Sequence, residues 1–182
     1  MTNRFCRLED KDKRYLWHPF TQMKDWMEND IVIIERAKGN YLYDTRGNRY
    51  LDGVSSLWCN VHGHQVREIN RAIGSQLGKV AHSTMLGLSN IPAIELADEL
   101  ISIAPKGLRR VFYSDSGSSA VEIALKMAFQ YWQSQRDRAS LRKTKFLTFV
   151  NAYHGDTIGS VSLGGMDLFH NTYKPLLFET FK

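Results

Sequence analysis

Three short runs hold residues whose types and spacing can do chemistry. The first is Tyr113-Ser114-Asp115-Ser116-Gly117-Ser118-Ser119. Gly117 lets a ligand approach the backbone, and Ser116, Ser118 and Ser119 supply hydroxyl groups. The run lies between an apolar strand pattern, RVFY, and a helix pattern, SSAVEIALKMAFQYW. A helix start points unpaired N–H groups and a positive dipole end at whatever sits before it. Such a turn cradles an anion. It lacks the Lys of a P-loop and the glycine spacing of a dinucleotide fingerprint, so it suits one phosphate ester better than a triphosphate. Ser119-x-x-Glu122 is also a capping box, and spacing alone does not separate a helix cap from a phosphate cradle.

The second run is Asn151-Ala152-Tyr153-His154-Gly155, just past the strand pattern KFLTFVN. Ligands of open parallel sheets sit beyond the carboxyl ends of the strands, so this loop and the serine turn can face one pocket. Tyr153 offers a flat face for an aromatic ligand, and Gly155 leaves room; an aromatic at a strand end serves equally as core. The third run is Ser55-Ser56-Leu57-Trp58-Cys59-Asn60-Val61-His62-Gly63-His64. His62 and His64 have no Asp, Glu or Cys at ligand-like spacing, and His82 is remote, so no metal site is expected. Cys59 has no charged neighbour to lower its thiol pKa, so a nucleophilic thiol is not expected either.

The elements that must position these runs follow from periodicity. Residues 1–30 carry Trp17, Phe20 and Trp26 with weak periodicity, which reads as an arm or short helices. Runs 31–35, 41–44 and 50–52 are β-prone and separated by Lys38-Gly39-Asn40 and Arg46-Gly47-Asn48, which predicts an antiparallel meander. Apolar steps of three and four predict helices over 65–80 and from Pro92 to Pro105. Strand, helix and strand across about 40 residues predict a βαβ unit and a parallel sheet. In the last helix, Glu122 and Lys126 form an i,i+4 pair.

The chain has 182 residues, 43% of them hydrophobic and 24% charged, which fits a folded domain and argues against disorder. No apolar run is long enough to span a membrane, and the N-terminus has no apolar signal region. Two cysteines, Cys6 and Cys59, are too few for a disulfide framework, which fits the cytoplasm. The net charge of +5 comes mostly from residues 136–145, where five basic side chains face Asp137 alone. That stretch has no aromatics, so it reads as a solvated loop, and no nucleic-acid partner is expected.

The runs WHPFTQM (17–23), YLDGVSSLW (50–58), NVHGH (60–64), LGKVAHSTMLGLSNIPAIELADEL (77–100), YSDSGSSAVEIALKMAFQYW (113–132) and NAYHGDTIGSVSLGG (151–165) resemble class III pyridoxal-phosphate aminotransferases. Within that class they are most similar to the biotin-pathway branch, which acts on 8-amino-7-oxononanoate and gives 7,8-diaminononanoate. The resemblance runs from about residue 15 onward. It implies an α/β fold: the N-terminal part of a fold-type I transferase, with an arm and small-domain meander over 1–64. The start of the large cofactor-binding domain would span 65–182. It implies pyridoxal 5'-phosphate as cofactor, with Ser116, Gly117 and Ser118 at its phosphate and Tyr153 on its ring. Tyr153, Trp58, Leu57 and Phe20 would border the substrate, Tyr153 and Trp58 as two walls of one pocket.

Leu57 and Phe20 stand where one branch of the family has Trp and Tyr. Both changes remove polar contact atoms and leave the amino donor open between S-adenosylmethionine and lysine. Other class III activities, on ω-amino acids or acetylornithine, are the alternative; WHPFTQM argues for the biotin branch. The resemblance further implies a homodimer when full length. Its Schiff-base Lys, its ring-nitrogen Asp and its carboxylate-binding Arg lie downstream of residue 182. The chain is therefore expected to be an N-terminal fragment that does not transaminate alone, or a non-catalytic one that binds a phosphate or a partner.

Overall fold

The computed structural model describes residues 2–166 and 171–182. Residues 167–170, in the Gly-rich and then apolar end of the sequence, lie outside the described residues. Contacts divide the chain into two compact units, Met1–Ser89 and Asn90–Lys182. The sequence places a boundary at 64/65, where strand periodicity gives way to helix periodicity; by contacts, the residues up to Ser89 stay with the first unit.

In the first unit the arm folds as α1 (Thr2–Tyr15) and α2 (Met23–Glu28). A meander follows, β1 (Ile34–Lys38), β2 (Tyr41–Asp44) and β3 (Arg49–Leu51), antiparallel in the order β1-β2-β3. The first strand starts three residues later than its β-prone run, and Ile31, ahead of it, is buried. Gly39, at φ +56°, closes the β1–β2 turn, where Lys38 pairs with Tyr41. Arg36 lies 3.7 Å from the Tyr43 ring centre and Arg49 4.7 Å from that of Tyr41, cross-strand contacts that cover the aromatic faces. Next come a four-residue turn, α3 (Ser55–Trp58), and the amphipathic α4 (Arg67–Leu77).

Asp44 is the polar centre of the meander. Its carboxylate accepts from Arg46 N at 2.9 Å, Asn48 N at 2.7 Å, Asn48 Nδ2 at 2.9 Å and Tyr50 Oη at 2.9 Å. Burial pushes its pKa up, but the hydrogen bonds from Asn48, Tyr50 and Arg46 together outweigh burial and hold it below the ordinary value. A lowered folded-state pKa means the stabilisation is complete above the ordinary carboxylate value of about 3.9 and is lost as pH falls through the folded value. The tyrosine near-UV dichroism of the meander is expected to collapse over that acid range. Asp44→Asn should already weaken the signal at neutral pH and flatten its acid dependence.

The second unit holds α5 (Ile91–Ile103), α6 (Gly117–Gln133), α7 (Arg138–Leu141), α8 (Ile158–Leu163) and a 3-10 turn over Asn171–Leu176. Asn90 caps α5 by accepting from Ala93 N at 3.0 Å, and Pro92 occupies its first turn, where a missing N–H costs nothing. The basic stretch contains α7, capped by Asp137, whose carboxylate accepts from Ser140 N at 2.8 Å.

The two strands expected to flank α6 do not form a ladder. Residues 109–114 carry no strand, and the second segment makes one parallel bridge, Leu147 to Phe181. Parallel strands are stable when neighbours pair with both edges and helices cover both faces. Here Phe112, Leu147, Phe149 and Val150 are exposed, so the apolar pattern is present without its partners. Among the described residues Ile31 and Val161 are the buried large apolar side chains, and Ser160 is the most deeply buried residue. No helix of the described residues is long and apolar enough to cross a membrane.

Candidate active site

The serine turn lies at the start of α6. Ser116 is the N-cap: its backbone is extended and its Oγ accepts from Ser119 N at 3.1 Å. Ser119 is therefore the third helical residue and not the cap, so the capping box read at Ser119 and Glu122 does not form. Gly117 and Ser118 occupy the first turn, where N–H groups have no intrahelical acceptor. A Cβ on Gly117 would meet nothing within 4 Å, so the face of this turn is open to a ligand. Asp115 is held below the ordinary carboxylate pKa, chiefly by a hydrogen bond from the Ser119 side chain, and so is engaged on the helix.

The tyrosine loop closes over the same turn. Asp156 N donates to Ser118 Oγ at 3.2 Å, a contact spanning 38 residues of sequence. A hydroxyl that accepts at its oxygen still has its proton to donate. Gly155, buried at φ +112°, sits directly on Ser118; a Cβ there would fall onto Ser118 Oγ and within 2.8 Å of the Ser118 Cβ. Tyr153 is 49% exposed, and its Oη donates to Asp156 Oδ2 at 2.8 Å. That hydrogen bond, with burial and the Asp156 charge, raises the phenol pKa, so the hydroxyl stays neutral.

One step behind the cradle, α8 packs on α6. Thr157 caps α8, and Ser160 Oγ donates to the Ser118 carbonyl at 3.2 Å. Glu122 Oε1 accepts from Gly159 N at 2.7 Å. The Glu122 carboxyl is held below its ordinary value, first by a hydrogen bond from Thr157, then by Gly159 and Ser160 N–H and the Lys126 charge, against burial. Sequence reasoning gave Glu122 a local role, in a cap and an i,i+4 pair. Its main partners are 35 or more residues away, and only the small Gly159 beside Thr157 hinted at them: a Cβ there would stand 2.5 Å from the carboxylate.

Ser116, Gly117, Ser118 and Tyr153 thus belong to one assembly within the second unit. Open first-turn N–H groups, a hydroxyl proton, free space in front of Gly117, a Gly155 with no room for a Cβ, and an adjacent flat ring fit a phosphate ester carried on an aromatic group. Phe20, Leu57 and Trp58 belong to the first unit and are 89%, 70% and 74% exposed. All three have left-handed backbone, at φ 50°, 60° and 71°. Phe20 follows a small polar network in which His18 Nε2 and Trp26 Nε1 donate to Asp12 at 3.0 and 2.8 Å. Nothing in the sequence pattern pointed to Asp12, which shares its segment with Phe20, as an anchor.

Comparison with known proteins gives one family from both sequence and structure. The profile described as aminotransferase class-III matches residues 22–181. An adenosylmethionine-8-amino-7-oxononanoate aminotransferase of Nitratidesulfovibrio vulgaris is 62% identical over 97% of this chain and 32% of its own length. The Staphylococcus aureus protein of the same name is 57% identical over 95% of this chain and 38% of its own. The chain therefore spans between a third and two fifths of these relatives. The crystal structure of the Methanocaldococcus jannaschii enzyme of that name superimposes at a TM-score of 0.91 and 52% identity, over 97% of this chain and 40% of the other. A transaminase from a Virgibacillus bacterium gives 0.82 at 34% identity, over 92% and 38%. With residues 22–181 matched and the same backbone shared with a solved enzyme at better than half sequence identity, this chain belongs to the class III aminotransferases.

Proposed function

We propose that the enzyme carrying this chain transfers an amino group to 8-amino-7-oxononanoate, giving 7,8-diaminononanoate, with pyridoxal 5'-phosphate bound in the Ser116–Tyr153 assembly. The observation that carries the reading is the pinned cradle: an open α6 start, a Ser118 hydroxyl fixed by Asp156, and Gly155 packed against it. The relatives' names supply the substrate and S-adenosylmethionine as donor; lysine is the competing donor.

When bound, the cofactor supplies an electron-withdrawing ring that stabilises negative charge on the carbon losing its proton. The chain's own residues hold and orient it. Gly117 and Ser118 N–H groups and the Ser118 hydroxyl bind the phosphate, with the dipole of the 17-residue α6 behind them. Tyr153 would stack on the cofactor ring; its hydroxyl, tied to Asp156, fixes the orientation of the phenol, which adds no charge of its own. Trp58, Leu57 and Phe20 contact the substrate, and their apolar surfaces suit the long aliphatic chain of the keto acid. The meander and arm over 1–64 belong to the small domain and 65–182 to the large one. The working enzyme is a cytoplasmic homodimer.

The decisive test is a full-length enzyme carrying this chain, loaded with the cofactor and given 8-amino-7-oxononanoate with either S-adenosylmethionine or lysine. Diaminononanoate formed with one donor supports the reading; amino transfer only from ω-amino acids or acetylornithine to other keto acids overturns it. The 182-residue chain by itself is expected to give no transfer above that of free cofactor, checked in the same assay. In the full-length enzyme Ser118→Ala removes one hydrogen bond to a charged group, worth about 1.5–3 kcal/mol. Cofactor affinity should fall about 10- to 150-fold, read by titration of cofactor absorbance.

A further inference from the structure

We propose that Asp52 and His64 are positioning residues for the substrate side of the enzyme: a carboxylate–imidazole clamp that holds α3 in a left-handed turn and so fixes where Leu57 and Trp58 stand. The inference rests on the reading of Trp58 as a substrate contact.

The starting observation is backbone strain. Ser55, Ser56, Leu57 and Trp58 have φ of 53°, 49°, 60° and 71°. None is glycine, and L-residues visit this region singly, at a cost of about 1–2 kcal/mol each. A run of four must be held by its surroundings. Packing of its own side chains does not hold it, since none of the four is buried.

The holding contacts converge on one carboxylate. Asp52 Oδ1 accepts from Ser56 N at 2.7 Å, and Oδ2 accepts from Ser56 Oγ at 2.8 Å and from His64 Nε2 at 2.8 Å. The side chains of Asp52 and His64 are 5% and 14% exposed, so the carboxylate–imidazole bond is largely shielded from water, while the Ser56 bonds lie at the surface. The base of the clamp is tied to the meander. Asp52 N donates to the Asn40 carbonyl at 2.9 Å, one residue past β3. His64 exchanges both backbone hydrogen bonds with Gly39, at 2.8 and 3.0 Å. Gly63 makes that approach possible: at φ +83°, a Cβ on it would stand 3.1 Å from the Gly39 carbonyl oxygen. Backbone bonds then close the turn, with Trp58 N on the Val54 carbonyl at 2.8 Å and Asn60 N on the Ser55 carbonyl at 2.9 Å. The polar groups anchor the turn, and the exposed Leu57 and Trp58 are displayed. A turn needed only to reverse the chain would not require four strained residues ending in an exposed Leu and Trp.

The test uses the full-length cofactor-loaded enzyme with Asp52→Ala, His64→Ala and His64→Gln. His64→Gln can still donate to Asp52. Asp52→Ala and His64→Ala are expected to raise KM for the keto acid at least tenfold, with kcat and the cofactor absorbance within about twofold of wild type. His64→Gln should recover most of the KM. Amide hydrogen exchange supplies a readout independent of activity: Ser56 to Trp58 should exchange at least tenfold faster in both alanine variants, while β2 stays protected. Unchanged KM in both alanine variants overturns the proposal, as does unchanged exchange at Ser56. If Asp52→Ala does not fold, the His64 pair decides. A wild-type enzyme inactive on the keto acid overturns the functional reading, and exchange at Ser56 then decides whether the clamp holds the turn.

Discussion

Gly155→Ala is expected to weaken cofactor binding in the full-length enzyme about 30- to 25,000-fold. Two independent effects combine at this position. The backbone φ of +112° is one that residues with a Cβ rarely adopt, a strain of roughly 1–3 kcal/mol. The added methyl also lands on Ser118 Oγ and within 3.0 Å of the Ser118 Cα, which is helix backbone and cannot turn aside. Relieving that overlap costs roughly another 1–3 kcal/mol. The cheapest relief moves the 151–156 loop away from α6. That breaks the Asp156 N to Ser118 Oγ bond and lifts Tyr153 from its place beside the cradle. Equilibrium dialysis of the cofactor, alongside thermal unfolding of the apoenzyme, checks the expectation. Affinity within threefold of wild type would show that the glycine serves only as a turn. His154→Ala, next to it, has no such overlap to relieve and is the matched control.

Trp58→Ala is expected to raise KM for the keto acid about 10- to 100-fold, the size of effect seen when a large anchor residue leaves an interface. Stability should barely change. A core aromatic truncated to Ala costs roughly 3–5 kcal/mol, but Trp58 is 74% exposed within its unit and its indole carries little of that burial. The melting temperature should stay near that of wild type, the cofactor spectrum should be unaltered, and only the keto-acid dependence should shift. A variant that unfolds, with unchanged substrate constants in the folded remainder, would identify Trp58 as packing. Leu57→Trp is a useful partner, because it restores the aromatic pair found in one branch of the family.

The elements that local chemistry specifies were legible from the residues alone. Pro92 and the steps of three and four marked α5, and the helix pattern after Gly117 marked α6 within a residue or two. Gly39 and Gly47, both at positive φ, closed the meander where turn residues had indicated. These signals act within one helical turn or one hairpin, so they are written in adjacent residues. The serine turn was legible for the same reason: a strand pattern, a glycine and hydroxyls, and a helix start lie in one short stretch. Its rivalry with a plain cap was not resolved locally, because Ser116 is a cap and its neighbours also form an open face.

Other features depended on residues far apart in the chain. The apolar runs around Phe112 and Leu147 predicted parallel strands, but a strand forms only when a neighbouring backbone supplies the other half of each hydrogen bond. A single bridge to Phe181 is what the described residues provide. Glu122 looked like part of its own helix, and the fold gave it to Gly159 and Thr157 instead. The hand of α3 ran against every local preference of Ser, Leu and Trp, so no reading of propensity could have found it. What accompanies it is a carboxylate one residue past β3 that accepts from both Ser56 and His64. The sequence by itself determined α4, α5, α6 and the two turns of the meander, and that a helix start with a glycine and hydroxyls stands at Ser116 to Ser119. The tertiary structure decided that Gly155 and Asp156 close over that helix start and that Trp58 is displayed rather than buried, because both outcomes rest on hydrogen bonds and packing between segments that no local preference links.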